Sequence, residues 1–536
     1  MPPPPPVERK PSYIQFTPKR SIPSFENLVA LANYEERLKG AKKIVWRDRG
    51  ELPVEIHDLW ECLKHATRGG LRAGTLAFVI RAGVNLILLL TKLKQMKREH
   101  RFAAIRHALF GQDCFRFGAM LGSFVSIYKY ILNALPLLYQ PPESGSPFAD
   151  DDEDIELGPP RPAHKRVRQL RLSASGRARQ AWTKKRTRAW FSVVAGAIAG
   201  GVAIMFEKRS RRIAIGQQMF VRGLQGSYNA LAAKYGFSVP YGAVWIFSIA
   251  CAQIMYGYLL RPETLPKTYI SWIDQAGQIP VKGVAMNRDL VREGSFKISD
   301  IDQLLSNTEL HPKNRTELLT RRAKAVGSLP DFGTPYAGCA AIHPKQFSCR
   351  KDALIRFYEV WKWVFPVYGA LHFVPVLLFR RARFIKEPFK MFLRTLWGSS
   401  RSSAFLGLFV MIYEGSYCLK HYLYENLRDL DLLPTKALNL LVSKGSFAVL
   451  GFLAGLSLFV EDPRRRAELA MYVLPKGLES AWSTARGKGY VVGAGKLGEA
   501  LLTAIGMGMV MRAYQDDPHN LSGIVRRILY QFVGPN

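Results

Sequence analysis

Long apolar runs alternating with strongly basic connectors set the pattern of this chain. The runs at 71–90, 115–139, 190–206 and 241–260 have four partners later, at 360–379, 404–422, 437–460 and 491–511. As helices rising 1.5 Å per residue, they approach or exceed the ~30 Å of a bilayer's hydrocarbon core. Two further segments, 213–233 and 467–485, are amphipathic and semi-polar, and the pattern alone leaves open whether they span or lie in the interface. Arg72, Arg81 and Asn85 interrupt the first run. A bare Arg at mid-membrane costs several kcal/mol, so Arg81 is expected to face protein or water.

The runs belong to a repeat. Leu121-Gly122-Ser123-Phe124-Val125-Ser126-Ile127-Tyr128 returns as Leu406-Gly407-Leu408-Phe409-Val410-Met411-Ile412-Tyr413. Glu207-Lys208-Arg209-Ser210-Arg211-Arg212 is answered by Glu461-Asp462-Pro463-Arg464-Arg465-Arg466, and Arg261-Pro262 by Asp517-Pro518. The expected fold is therefore all-α: a polytopic membrane protein of two homologous helical bundles, four to five spans each, with a disordered loop. Four spans per half make the repeat parallel and five make it inverted.

The expected boundaries are a polar basic N-terminal region at 1–60, a first membrane unit at 61–275, a soluble connector at 276–338 and a second membrane unit at 339–536. Within the first unit, 140–188 joins an acidic block to a basic, Pro-punctuated stretch. That composition reads as a disordered insertion, and the second half has no counterpart for it. No secretory leader opens the chain, so insertion is expected to use an internal span.

A formal net charge of +34 raises the question of nucleic acid. The bases flank apolar runs instead of forming an aromatic-interleaved stripe, so the expected partners are membrane lipids and other organelle membrane proteins, not nucleic acid. Since nearly every connector is basic, the charge bias does not orient the chain. Six scattered cysteines suit a reducing compartment.

The stretch from Phe117 to Lys129 resembles the signature of the transmembrane protein 135 family, and 343–350 resembles that family's His-Pro…Ser-Cys-Arg element. Residues 451–466, with the segment beyond them, resemble the smaller peroxisomal membrane protein 4 family, related to the mitochondrial inner-membrane translocase channel subunits. The resemblance implies a multi-spanning protein of peroxisomal or mitochondrial membranes, in lipid-related solute transport or membrane homeostasis. The alternative it implies is a scaffold or an insertion component like the translocases. It implies no enzyme, and the chain has neither a phosphate-binding Gly-rich loop with its Lys nor a Gly-x-Ser-x-Gly elbow.

The candidate residues are therefore structural, with no catalytic group and no cofactor expected. Gly196 and Gly200, like Gly451 and Gly455, are four apart and let helix backbones approach closely; Gly201 aligns with Gly455, Gly118 precedes the first signature and Gly122 lies within it. Glu207 with Arg211, and Glu461 with Arg465, have the spacing of a helical ion pair and read as a surface pin used twice. Lys129 and Glu414 follow the two signatures with opposite charges and are candidates for the interface between the repeats. Cys339, His343 and Cys349 form the one clustered set of soft metal ligands. Three is short of the four that structural zinc takes, so the expectation is a docking turn with a buried thiol. Cys62 precedes the first span as Cys349 precedes the fifth. His372 is expected to be a packing histidine.

Overall fold

The computed structural model describes residues 56, 58–93, 96–138, 189–379, 381–430, 434–493, 495 and 497–534. The segments 1–55 and 139–188, and with them most of the N-terminal region and the expected disordered insertion, lie outside the described residues. The fold is all-α, with no strand among the described residues. The chain forms two compact units. One joins the sequence up to Phe191 to the segment from Gly523 onward; the other runs from Ser192 to Ser522. These units are not coextensive with the repeats.

The first unit is built on an antiparallel pair, α1 (Leu59–Lys92) and α3 (Gln112–Leu138), joined through α2 (Arg98–Phe110). A Cβ on Gly70 would lie 2.8 Å from the Gly122 carbonyl oxygen, and one on Gly118 would lie 3.0 Å from that of Gly74. Only glycine permits this approach. The outer side of α1 shows Leu71, Val79, Val84, Ile87 and Leu88, a stripe suited to lipid. Arg81 faces Asp113 at 3.7 Å, as a mid-span arginine requires. The C-terminal α19 (Gly523–Phe532) packs on α1.

In the second unit come α4 (Ala189–Ala203), α5 (Arg209–Tyr235) and α6 (Gly242–Leu260). Four shorter helices follow: α7 (Lys267–Gly277), α8 (Val281–Glu293), α9 (Ile298–Leu305) and α10 (Pro312–Val326). Then come α11 (Cys339–Ile342), α12 (Cys349–Phe379), α13 (Arg381–Lys386) and α14 (Pro388–Asp429). The unit closes with α15 (Thr435–Val442), α16 (Ser446–Gly455), α17 (Pro463–Gly487) and α18 (Gly498–Asp516).

Geometry repeats along with sequence. α4 and α16 both end in a 3₁₀ turn, Ile204–Phe206 and Leu456–Val460, followed by a buried glutamate in extended conformation. α6 and α18 are each followed by another, Pro262–Thr264 and Pro518–Asn520. The packing crosses over between halves. α4 and α5 of the first half pack on α18 of the second, while α16 and α17 of the second pack on α6 of the first. The two semi-polar segments form α5 and α17, which meet through an Arg222–Glu468 ion pair at 2.6 Å.

Four stretches among the described residues are long and apolar enough to cross a membrane: Leu59–Leu90, Arg98–Leu138, Gly242–Leu260 and Pro388–Asp429. Thr435–Val442 with Ser446–Val460, bent by 56°, adds a fifth if it is one broken span. The run at 360–379 is the second part of α12. The expected span at 491–511 needs correction, because helix begins only at Gly498. The preceding stretch holds Gly489 and Gly495 at φ +78° and +63°, a conformation that ends a helix.

The connector expected at 276–338 is largely helical, and its core is continuous with the membrane helices. Leu290, Ile301, Leu304 and Leu318 share one buried cluster with Tyr413, Tyr417 and Cys418 of α14. Helices α7 to α11 thus form a cap seated on α14.

Candidate metal centre

The cap's last turn meets the start of α12 and the middle of α14 at a knot of four soft ligands. α11 is a single helical turn, closed by the His343 amide donating to the Cys339 carbonyl at 2.9 Å. Residues four apart on a helix share a face, so Cys339 and His343 point the same way. Cys349 is the first residue of α12, and Cys418 comes from α14. The four donor atoms all lie within 4.8 Å of one another.

Three of the six separations have the size of tetrahedral edges. Cys339 Sγ is 3.6 Å from Cys349 Sγ and 3.8 Å from Cys418 Sγ, and Cys349 Sγ is 3.4 Å from His343 Nε2. With Zn–S near 2.3 Å and Zn–N near 2.0–2.1 Å, tetrahedral edges are about 3.8 Å between sulfurs and about 3.5 Å from sulfur to nitrogen. His343 is 3% exposed and Cys418 8%, so the knot is closed to bulk water on those sides.

The surroundings fix the ligands. His343 Nδ1 donates to the Gln346 carbonyl at 2.8 Å, which assigns the proton to Nδ1 and turns the Nε2 lone pair toward the sulfurs. Buried Asn314 Nδ2 reaches the carbonyls of His343, Pro344 and Gln346 at 3.0–3.2 Å, so one amide on α10 grips the intervening loop. Tyr417, next to Cys418 in sequence, donates to the Ala337 carbonyl at 2.9 Å and lies 2.9 Å from Asn287 Oδ1. Arg321 reaches the carbonyls of Phe332, Thr334 and Tyr336 and holds the stretch of chain leading to Cys339.

With protons as its only cations, the knot favours an ion pair. Hydrogen bonds with Cys339, Cys418 and His343 hold the Cys349 thiol far below its ordinary range. Burial alone lowers His343, but hydrogen bonds with Cys339 and Cys349 outweigh it and push the imidazole up to about 11. Thiolates and a neighbouring imidazole are a donor set that zinc takes, and four protein ligands make a closed site of the kind that holds a fold together. The sequence offered Cys339, His343 and Cys349; Cys418 completes them. Its signal was weak, since it lies far along a helix just beyond the second signature, where the first repeat has Asn133.

The other candidate residues fall into place separately. Gly196 and Gly200 lie against Met507 of α18, Gly201 against Ala504, Gly451 against Cys251, and Gly455 against Ser248, where an added Cβ would come within 2.5 Å of a backbone atom. The glycines thus line the two crossed seams. Glu207 and Glu461 are 1% and 2% exposed. Arg211 donates to Glu207 at 2.6 Å, while Arg465 stands 3.9 Å from Glu461 and reaches His372 and Ser402 instead. His372 is a packing histidine held between Arg465 and α14. Arg212 and Arg466 then repeat each other, each bonding the carbonyl of its half's buried glutamate and that of the residue two before it. Lys129 Nζ lies 3.0 Å from His65 Nε2, and Glu414 faces Arg356 at 3.9 Å, so each is answered inside its own unit. Cys62 Sγ donates to the Tyr130 carbonyl at 3.3 Å.

No family model matches the chain, and neither a curated protein nor a solved structure is significantly similar to it.

Proposed function

We propose that this chain is a non-enzymatic integral membrane protein that organises a peroxisomal or mitochondrial membrane, acting as a scaffold between lipid and partner proteins. The observation that carries this reading is the crossed packing. α6 of the first half and α18 of the second are each locked into the other half along a seam of glycine-to-backbone contacts. Transporters that alternate access rock one repeat against the other. Two seams this tight, each using helices from both repeats, resist such rocking. Exposed apolar stripes on α1 and the bent α15–α16 pair supply surface for lipid, and the net charge of +34 favours anionic headgroups.

Lipid-related solute transport is the second reading, and one observation favours it. Glu207 and Glu461 each keep a buried carboxylate oxygen, Oε2, with no hydrogen-bond partner, at equivalent kinks of the two halves. Buried ionisable groups in membrane helices commonly mark solute or proton pathways.

The test is a deletion strain complemented by the tagged chain, scored for position against peroxisomal and mitochondrial markers, resistance to alkaline carbonate, organelle shape and lipid profile. Scaffolding predicts altered organelle shape that is rescued by the double variant Glu207→Gln/Glu461→Gln. Rescue of shape without rescue of the lipid profile would favour transport. Normal organelles and wild-type lipids in the deletion strain would refute both readings.

A further inference from the structure

The four-ligand knot makes a claim independent of the membrane role. We propose that Cys339, His343, Cys349 and Cys418 bind one zinc ion in a tetrahedral, three-sulfur, one-nitrogen site, and that this ion staples the helical cap to α14. Four observations support it together: a complete donor set within 4.8 Å, three of its six edges at 3.4–3.8 Å, a histidine whose Nδ1 is engaged by a carbonyl, and a loop held by Asn314. The donors come from three places in the chain: the last turn of the cap, the head of α12 and the middle of α14. A metal there closes two loops at once, one between Cys339 and Cys349 and a long one to Cys418.

The chemistry selects among ions. Three thiolates exclude calcium and magnesium, which take oxygen ligands. Zinc fits the tetrahedral mix of sulfur and imidazole, and no bound water is needed to complete the shell. Binding takes a thiolate from each cysteine and a neutral imidazole from His343, so any proton they carry is released to solvent as the metal enters. Among the described residues the first repeat has no such cluster. Where Cys418 stands, its register carries Asn133.

The full chain, purified in detergent with reductant and without a polyhistidine tag, is assayed for metal by mass spectrometry. About one zinc per chain is expected from zinc-supplied cells. Cys418→Ser and Cys339→Ser should each fall to background. Cys251→Ser, which alters a buried thiol of α6 outside the knot, should keep its zinc. A second measurement guards against variants that fail to fold. The wild-type chain, stripped by chelator and titrated with cobalt(II), should develop the intense visible bands of tetrahedral thiolate–cobalt at one equivalent. Zinc should also slow maleimide labelling of Cys339 and Cys349 at least tenfold. The proposal is overturned by a wild-type chain with neither zinc nor a tetrahedral cobalt spectrum. Unchanged zinc in a folded Cys418→Ser, or a Cys339–Cys349 disulfide in protein alkylated at lysis, would overturn it equally.

Discussion

The opening helix pairs of the two repeats, α1 with α3 and α12 with α14, follow one template and are held by different chemistry. In the first pair Gly70 and Gly74 face Gly118 and Gly122, and the seam closes by backbone contact. In the second, Phe357 and Trp361 stand where Gly70 and Gly74 stood, and only Gly407 keeps its place, against the Phe357 carbonyl oxygen at 2.8 Å from an added Cβ. The charges change too. The first pair sets Lys129 beside His65, whereas the second sets Asp352 and Glu414 around Arg356 at 3.8 and 3.9 Å. The second pair thus has buried polar and soft-ligand contacts where the first has close glycine packing. Shape complementarity can be supplied either way, but buried charge fails harder when one member is lost.

Arg356→Met should expose that difference most. Arg356 is 6% exposed and stands between two buried carboxylates. Removing it leaves like charges unopposed in low dielectric, and a loss of about 3–5 kcal/mol is expected. Burial already raises the Asp352 carboxyl above its ordinary value while Arg356 pulls it down, so the variant should raise it further. A carboxyl whose folded pKa exceeds its unfolded one binds a proton on folding. Its penalty is absent below the unfolded pKa and grows as pH rises through the folded one. Thermal unfolding in detergent should therefore show a larger deficit at pH 8 than at pH 5; an equal deficit at both would break the charge account.

Gly122→Leu probes the other pair. An added Cβ meets the Gly70 carbonyl oxygen at 3.0 Å and the Gly74 Cα at 3.2 Å, backbone that cannot swing away. A destabilisation of about 3 kcal/mol is expected, at the upper end for overpacking. A smaller but diagnostic contrast lies in the pins. Glu207→Gln removes charge-assisted bonds from Arg211 at 2.6 and 3.2 Å and should cost about 2 kcal/mol. Glu461→Gln should cost about half that, because Arg465 is already engaged by His372 at 2.6 Å. Equal losses would mean that the two kinks are held alike despite their geometry.

Much of this was readable from sequence, for physical reasons. The repeat and the glycine spacings act locally, through residues a few positions apart, and recur in both halves; of the two Glu–Arg pins only Glu207–Arg211 closes, at 2.6 Å, while Arg465 turns from Glu461 to His372 and Ser402. The helices on 213–233 and 467–485 were legible as amphipathic, but their meeting through Arg222 and Glu468 was not, because a sequence repeat carries no record of which copy packs on which. The crossed seams were hidden for the same reason. Val491 to Leu497 looked like membrane because it is weakly apolar, while the positive-φ glycines around it decide against helix. Three of the four metal ligands were visible by their closeness in sequence; Cys418 is joined to them only by the folding of α12 against α14.

The smallest predicted effect is also the sharpest test of the comparison. Asn133 occupies the register of Cys418, half-buried on α3, with its Nδ2 lacking a partner. A buried donor left unsatisfied costs about 1–3 kcal/mol, and an apolar side chain of similar size avoids that cost. Asn133→Leu should thus be neutral or raise stability by up to about 1 kcal/mol in the same unfolding assay. Cys418→Asn, which installs the first repeat's residue in the second, should instead lower stability and abolish zinc retention. Opposite signs at equivalent positions would show that one template serves packing in the first copy and metal in the second. If both substitutions were neutral, Cys418 would be a packing residue like its counterpart.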